Sequence, residues 1–270
     1  MIAPPPAKRL YRQRAHCNPW SDHGLNPPIC PNETDWRDIY KLEDFKTPVT
    51  CLDIGCGYGG LLIKLGEVFP DQTSLGIEIR LKVSDYVQER IKALRINNPG
   101  QYENISCIRA NAMKNLVNYF GRHSLEKLFF LYPDPHFKRL KIKWRIISPV
   151  LLSTYAYLLR PGGLIYAGSD VEDLSGWMYQ CMAKHPLFKC RLFVRLRIAF
   201  SERPDGEDGM DDSLLEVIEC EYSTIRTREE LLEYFKEDKI IRYLCHGCTE
   251  ESRKAAREKR GTSMMIFERI

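Results

Sequence analysis

Residues 50–60 read TCLDIGCGYGG, a short apolar run and an Asp followed by four glycines within six positions. Few features constrain a fold more. Val49–Ile54 reads as a strand, and glycines at that density let the chain turn sharply and bring its backbone against a ligand. Leu61, Leu62, Leu65, Val68 and Phe69 then fall on one helical face over Gly59–Phe69, and Pro70 ends it. The alternation repeats. Thr73–Ile79, Asn104–Arg109 and Lys127–Tyr132 read as strands, separated by helices with stripes Val83/Val87/Ile91/Leu94 and Met113/Leu116/Val117/Phe120. Ser148 and Pro149 mark a further helix start, and Pro161-Gly162-Gly163 turns into a strand at Leu164–Gly168. Such repetition predicts an α/β fold: a doubly wound, Rossmann-like sheet with helices on both faces. Its ligand lies beyond the carboxyl ends of the strands.

Residues 1–47, rich in Pro, Asn and charge, predict an extended basic N-terminal arm, and residues 48–270 the folded domain. An acidic, insertion-like segment occupies about residues 190–230. Residues 191–200 alternate as a strand, whereas 202–221 carry nine acids and one Arg, a surface excursion because such charge is not buried unpaired. Thr227-x-x-Glu230 predicts a capping box, and Thr249–Arg260 an exposed helix, acidic at its start and basic at its end. The ten cysteines are scattered as reduced thiols; Cys245 and Cys248 form a C-x-x-C with no second pair at zinc-finger spacing. No apolar leader or membrane-length run is present, so a soluble intracellular protein is expected.

Two fingerprints overlap in the glycine loop. Gly55, Gly57 and Gly60 fit the G-x-G-x-x-G of dinucleotide enzymes, while Asp53 with Gly55, Gly57 and Gly59 fits the loop of S-adenosylmethionine (SAM) methyltransferases. A carboxylate at the cradle repels a pyrophosphate and suits a sulfonium, so Asp53 favours SAM. Glu78, 23 residues after Gly55, suits a ribose in either case. Further on, Asp134 stands between Pro133 and Pro135 at the exit of the fourth strand, a carboxylate set by two stiff residues. Lys138, Arg139, Lys141, Lys143 and Arg145 follow, with no acid between Asp134 and Asp170. The net charge, 40 − 36 = +4, is too small to imply nucleic acid by itself. This local run beside the pocket, with His136, Phe137 and Trp144 interleaved, points to phosphate contact.

These stretches resemble the eukaryotic tRNA (guanine-N7)-methyltransferases. The resemblance runs through RQRAHCNPWSDH (12–23), DIGCGYGGLL (53–62), GIEIRLKVSDYVQERIKALR (76–95), ANAM (110–113), FFLYPDPHFKRLKIKWRIISP (129–149), LRPGGLIY (159–166) and HPLF (185–188). It resumes weakly at CHGCTEES (245–252). It implies SAM binding by Gly55, Glu78, Arg80, Asn111, Ala112 and Leu131, catalysis by Asp134, and closure of the pocket by Thr249 and Glu251. It also implies a guanine at position 46 of the tRNA variable loop as substrate, a WD-repeat β-propeller as non-catalytic partner, and a nuclear location. The chain departs from the family pattern in its longer stretch between HPLF and CHGC. It departs again in SRKAAREKRGTS, which stands where a Gly-rich segment is expected. Three rivals remain: a small-molecule methyltransferase, a catalytically impaired RNA-binding paralogue, and a NAD dehydrogenase disfavoured by Asp53.

Overall fold

The computed structural model describes residues 2–14, 17–21, 23–198 and 210–270. One sheet of eight strands runs through it: β1 (Cys51–Ile54), β2 (Ser74–Glu78), β3 (Ile105–Arg109), β4 (Leu125–Leu131), β5 (Leu159–Ser169), β6 (Phe188–Ile198), β7 (Leu215–Ile218) and β8 (Thr262–Arg269). The spatial order is β3-β2-β1-β4-β5-β8-β6-β7. The first five strands are parallel, as the strand–helix alternation requires. The last three are antiparallel, β8 being inserted between β5 and β6.

The helices are α1 (Trp36–Tyr40), α2 (Gly60–Val68), α3 (Leu81–Asn97), α4 (Ala112–Tyr119), α5 (Pro149–Leu158), α6 (Glu172–Ala183), α7 (Arg228–Glu237), α8 (Lys239–Cys245) and α9 (Glu250–Arg257). Strand periodicity sorts them to two faces. Leu52, Leu128, Phe130 and Ile165 pack with Leu116 of α4, Leu152 and Tyr155 of α5, and Met178 of α6. Their neighbours Cys51, Phe129 and Tyr166 pack on the other face with Leu61 and Leu65 of α2, Leu231 and Phe235 of α7, and Ile241 of α8. The chain runs outward from β1 to β3 and returns to β4 beside β1, so the sheet has its switch point where these two strands meet.

Three expectations are revised. The arm is not extended throughout: it contains α1, and Tyr40 is fully buried, stacked on Phe45 with ring centroids 3.9 Å apart. The acidic segment lies partly outside the described residues (202–209), but Asp212 onward is no free excursion. Asp212 accepts from Arg242 at 2.9 and 3.1 Å and from His246 at 2.7 Å, and Leu215–Ile218 is an edge strand with Leu215 buried. Its charges are accommodated because an edge strand leaves one side open to water. The C-terminal helix is amphipathic rather than exposed, burying Ser252, Ala255 and Ala256. The capping box of α7, by contrast, forms as expected between Thr227 and Glu230.

The arm is held by specific bonds. The Tyr40 hydroxyl donates to the Ser74 carbonyl at 2.9 Å, the Ser106 hydroxyl donates to the Ile39 carbonyl at 2.6 Å, and Arg95 donates to the Tyr40 carbonyl at 2.6 Å. Because Ser74 opens β2, removing only the phenol oxygen leaves a buried carbonyl short of a donor. We expect Tyr40→Phe to lower unfolding stability by about 1–2 kcal/mol, read as a smaller midpoint in urea denaturation with an unchanged slope.

Candidate active site

The carboxyl ends of β1, β2, β3 and β4 converge on one cavity, at the position the switch point dictates. Gly55 beyond β1, Glu78 and Arg80 at β2, Asn111 and Ala112 after β3, and Leu131 and Asp134 at β4 all line it. These are seven of the nine residues expected at the catalytic and cofactor positions. Gly55 has φ +72, and a β-carbon there would meet no atom within 4 Å. The cradle is thus open on the ligand side. Gly60, at the start of α2, is instead closed: a β-carbon would come within 2.9 Å of the Cys248 carbonyl oxygen. One glycine serves the ligand and the other the packing.

Glu78 is only 4% exposed yet fully engaged with Arg80. Its Oε1 accepts from the Arg80 backbone N–H at 2.9 Å and from Nε at 3.1 Å, while Oε2 accepts from Nη2 at 2.9 Å. Burial alone would lower the Arg80 guanidinium, but the Glu78 hydrogen bonds and charge hold it above its ordinary value. Oε2 keeps a lone-pair direction for another donor, as a ribose hydroxyl would supply. An adenosine-type group therefore fits, with Glu78 oriented in advance. The Asn111 side chain is held in place: its Oδ1 caps α4 by accepting from the Met113 N–H at 3.0 Å, and its Nδ2 donates to the Pro19 carbonyl at 2.6 Å. One N–H and one lone pair of the amide remain for a ligand.

Asp53 requires a correction. It is 3% exposed, does not line the cavity, and is pushed up to about 7 by burial and then by the Glu78 charge. The expectation that it faces a cationic ligand fails because strand alternation turns it to the α2 side, where the Cys248 thiol is raised first by burial and then by the Asp53 charge. Sequence reasoning also missed the wall supplied by the arm. Cys17 and Pro19 line the cavity, and the strap behind them is fastened by Arg109 to the His23 carbonyl at 2.8 Å and by Asn118 to the Pro28 carbonyl at 2.9 Å. The dense Pro and Asn of residues 18–32 were a signal for such a strap.

Asp134 is framed by two residues with left-handed backbone, Tyr132 (φ 53) and His136 (φ 44). Tyr132 N–H donates to the Gly168 carbonyl at 2.8 Å, fixing the entry to the loop. Beyond it, His136 and Trp144 face the cavity with ring centroids 5.7 Å apart. Lys138, Arg139, Lys141 and Lys143 are exposed. Arg145 is not one of them. It is 8% exposed, its Nε donates to the Pro135 carbonyl at 2.9 Å, and its guanidinium lies 5.0 Å from the Trp177 ring centroid. This cation closes the loop from behind, so phosphate contact by Arg145 is withdrawn.

Thr249 and Glu251 are likewise outside the cavity wall. The Thr249 hydroxyl caps α9, accepting from the Ser252 N–H at 3.1 Å, and Glu251 is exposed. Thr249 does back the Gly60 turn, whose β-carbon would lie 3.3 Å from its Cα. Its support of the glycine loop is from behind. Cys245, half of the C-x-x-C, is buried in the core with its thiol pushed up by burial, and all ten cysteines are free.

With this geometry in place, comparison with known proteins is decisive. A family model described as "Putative methyltransferase" matches residues 47–193. A tRNA (guanine-N(7)-)-methyltransferase of Anopheles gambiae is 59% identical over 184 residues, covering 68% of this chain and 78% of that protein. One of Danio rerio is 55% identical over 189 residues, again 68% of this chain and 78% of that protein. The chain belongs to this family. Among solved structures it is similar to precorrin-6y C5,15-methyltransferase of Geobacter metallireducens, at 9% identity and a TM-score of 0.47 over 84% of this chain and 82% of that one.

The displaced titration of Asp53 gives a pH test of the methyltransferase fold. Its folded pKa, about 7, lies above the unfolded value of 3.8. Between these values the native state holds a proton that the unfolded chain has lost, so this group makes stability fall as pH rises through that window. Asp53→Asn should remove that slope. The cofactor-free variant should gain on the wild type by up to about 4 kcal/mol between pH 4 and 8, measured by denaturation across pH; parallel profiles would show that Asp53 is ionised in both states.

Proposed function

We propose that this chain transfers the methyl group of SAM to N7 of a guanine in tRNA, and that the guanine is at position 46 in the variable loop. The observation that carries the reading is Asp134: a carboxylate held between prolines at the end of β4, opening into the same cavity as Gly55 and Glu78, with four exposed cations immediately beyond it. SAM supplies an electrophilic methyl group on a cationic sulfur. The rest is asked of the chain. Guanine N7 carries an in-plane lone pair unprotonated at neutral pH, so no general base is needed and the task is alignment. Asp134 holds the N1–H and N2–H edge of the base and favours the positive charge that arrives on the purine. His136 and Trp144 offer ring faces beside that edge, and Lys138, Arg139, Lys141 and Lys143 anchor the phosphates. Leu131 and Ala112 supply apolar wall.

The WD-repeat β-propeller partner and the nuclear location follow from the family resemblance and belong to this proposal. A catalytically impaired paralogue would be expected to have lost the glycine loop or Asp134, and both are present. If the partner is required, the purified chain binds SAM but methylates tRNA poorly until the propeller is added; full turnover unchanged by the partner would refute that part.

Two substitutions test the division of labour. Asp134→Asn keeps the turn and loses the charge and one acceptor; single-turnover methylation at saturating SAM and tRNA should fall by about 10²–10³, with SAM affinity and melting temperature little changed. A rate within about threefold of wild type, some 0.7 kcal/mol, would remove Asp134 from the mechanism. Lys138→Ala with Lys141→Ala should weaken tRNA binding and flatten its log–log salt dependence by about one unit for each phosphate no longer neutralised, whereas Arg145→Ala should act first on stability.

A further inference from the structure

The loop that carries Asp134 has an outer side that the chemistry above leaves unused. Leu140 is 85% exposed and Phe137 71%. Both stand on the segment between Asp134 and Trp144, one at the start of a short 3-10 helix (Arg139–Trp144) and one just before it. The loop is not slack: Arg145 ties its end to the Pro135 carbonyl, and the Lys141 N–H donates to the Lys138 carbonyl at 2.7 Å. Its inner side presents His136 and Trp144 to the cavity. Its outer side presents two bare apolar groups among the exposed cations Lys138, Arg139, Lys141 and Lys143. We propose that Leu140, supported by Phe137, is a wedge that enters the RNA base stack beside the target guanine and occupies the gap left when that guanine turns into the cavity.

This rests on the tRNA reading and deepens it. A guanine packed among its neighbours cannot present N7 to an enclosed methyl donor without leaving the stack, and leaving it costs stacking energy. An apolar side chain inserted at the vacated step offsets that cost, and cations on either side hold the flanking phosphates; such wedges unstack base steps in many nucleic-acid complexes. The placement suits this. Three residues of 3-10 helix stand between Leu140 and the cavity-lining Trp144, four steps with a rise of about 8 Å, close to two stacked-base spacings of about 3.4 Å. With the helix axis along the stack, that rise would put Leu140 at a step beside the extruded base. A leucine has no hydrogen-bonding group and reads no sequence, which fits a tool for opening a stack rather than choosing one. The surrounding charge selects a polyanion as the occupant.

The test uses the full chain, assayed as the active complex, on two substrates: intact tRNA and a short single-stranded oligonucleotide containing the same variable-loop guanine, which has no tertiary stack to open. Leu140→Ala should reduce the saturated single-turnover rate on intact tRNA by about tenfold or more. On the oligonucleotide the loss should stay within about threefold, and Leu140→Met should restore most of the tRNA rate. Phe137→Ala with Leu140→Ala should fall further on tRNA alone. With 2-aminopurine next to the target guanine, the fluorescence rise on binding wild type should be blunted by Leu140→Ala. Equal losses on both substrates would make Leu140 merely structural, and no loss on either would overturn the wedge. Loss of binding to anionic phosphatidylserine vesicles, with an unchanged tRNA rate, would assign the patch to a membrane and overturn it as well. If the wild type methylates the oligonucleotide but not tRNA, or neither, it is the tRNA reading that fails, and the wedge falls with it.

Discussion

The pair of buried Glu78 and half-buried Arg80 is the electrostatic fixture on which the cavity depends. A carboxylate taken out of water is costly unless its oxygens are satisfied. Here one guanidinium and one backbone N–H supply three bonds within 3.1 Å. Once that charge is fixed, its neighbours must accommodate it. Asp53 is driven toward its neutral form by burial and by Glu78, and the Cys17 thiol on the opposite wall is raised by burial and again by Glu78. Two carboxylates line the cavity, Glu78 preset by Arg80 at the end of β2 and Asp134 beyond the end of β4.

The arm is the other half of the enclosure. Its strap crosses α4, and its earlier part runs back toward the C-terminal helix, where Lys8 pairs with Glu250 and lies 4.0 Å from the Tyr58 ring centroid. Tyr58 belongs to the glycine loop. Residues 8, 58 and 250 thus join the arm, the cofactor turn and α9, the helix whose first turn also backs Gly60. The arm and the helix that precedes β8 meet over the loop that opens the sheet. This is how a weakly patterned arm and a weakly matching C-terminus become parts of one site.

What the sequence reveals and what it hides have separable causes. The five parallel strands were legible as short apolar runs bounded by turn residues, the first three of them followed by a helical stripe. The glycine loop and strand ends by themselves located Gly55, Glu78 and Asp134, and the family resemblance added Arg80, Asn111, Ala112 and Leu131, all of which line the cavity. Of the antiparallel strands, β6 was legible in the alternation of residues 191–200, of which 191–198 lie in it, whereas β7 and β8 were not. In β8 only Met264–Phe267 is apolar, a run too short for periodicity to separate strand from helix, and the strand's position between β5 and β6 comes from pairing distant in sequence. Asp53 misled because a motif records which residue is present, whereas strand alternation decides which side it faces. Arg145 misled for a related reason. It sits in a run of cations, yet 3-10 geometry and the ring of Trp177 turn it inward while its neighbours turn out.

The placement of Asp134 and the cations on one loop has a mechanical consequence. The loop is pinned at its start by Tyr132 to Gly168 of β5 and behind Asp134 by Arg145 to Pro135, and left-handed residues stand on either side of its two prolines. Each such residue costs on the order of 1–3 kcal/mol of backbone strain, which the pinned ends must sustain. A loop so constrained has little freedom to let its outer side move without its inner side. Under the proposed tRNA reading, force on Lys138, Arg139 and Lys141 would be borne by the same backbone that carries Asp134, and docking and alignment would be coupled through covalent geometry rather than through a separate moving part. The buried Arg145 makes the coupling stiff: a lysine there would keep the charge but lose both the fixed donor to Pro135 and the planar contact with Trp177.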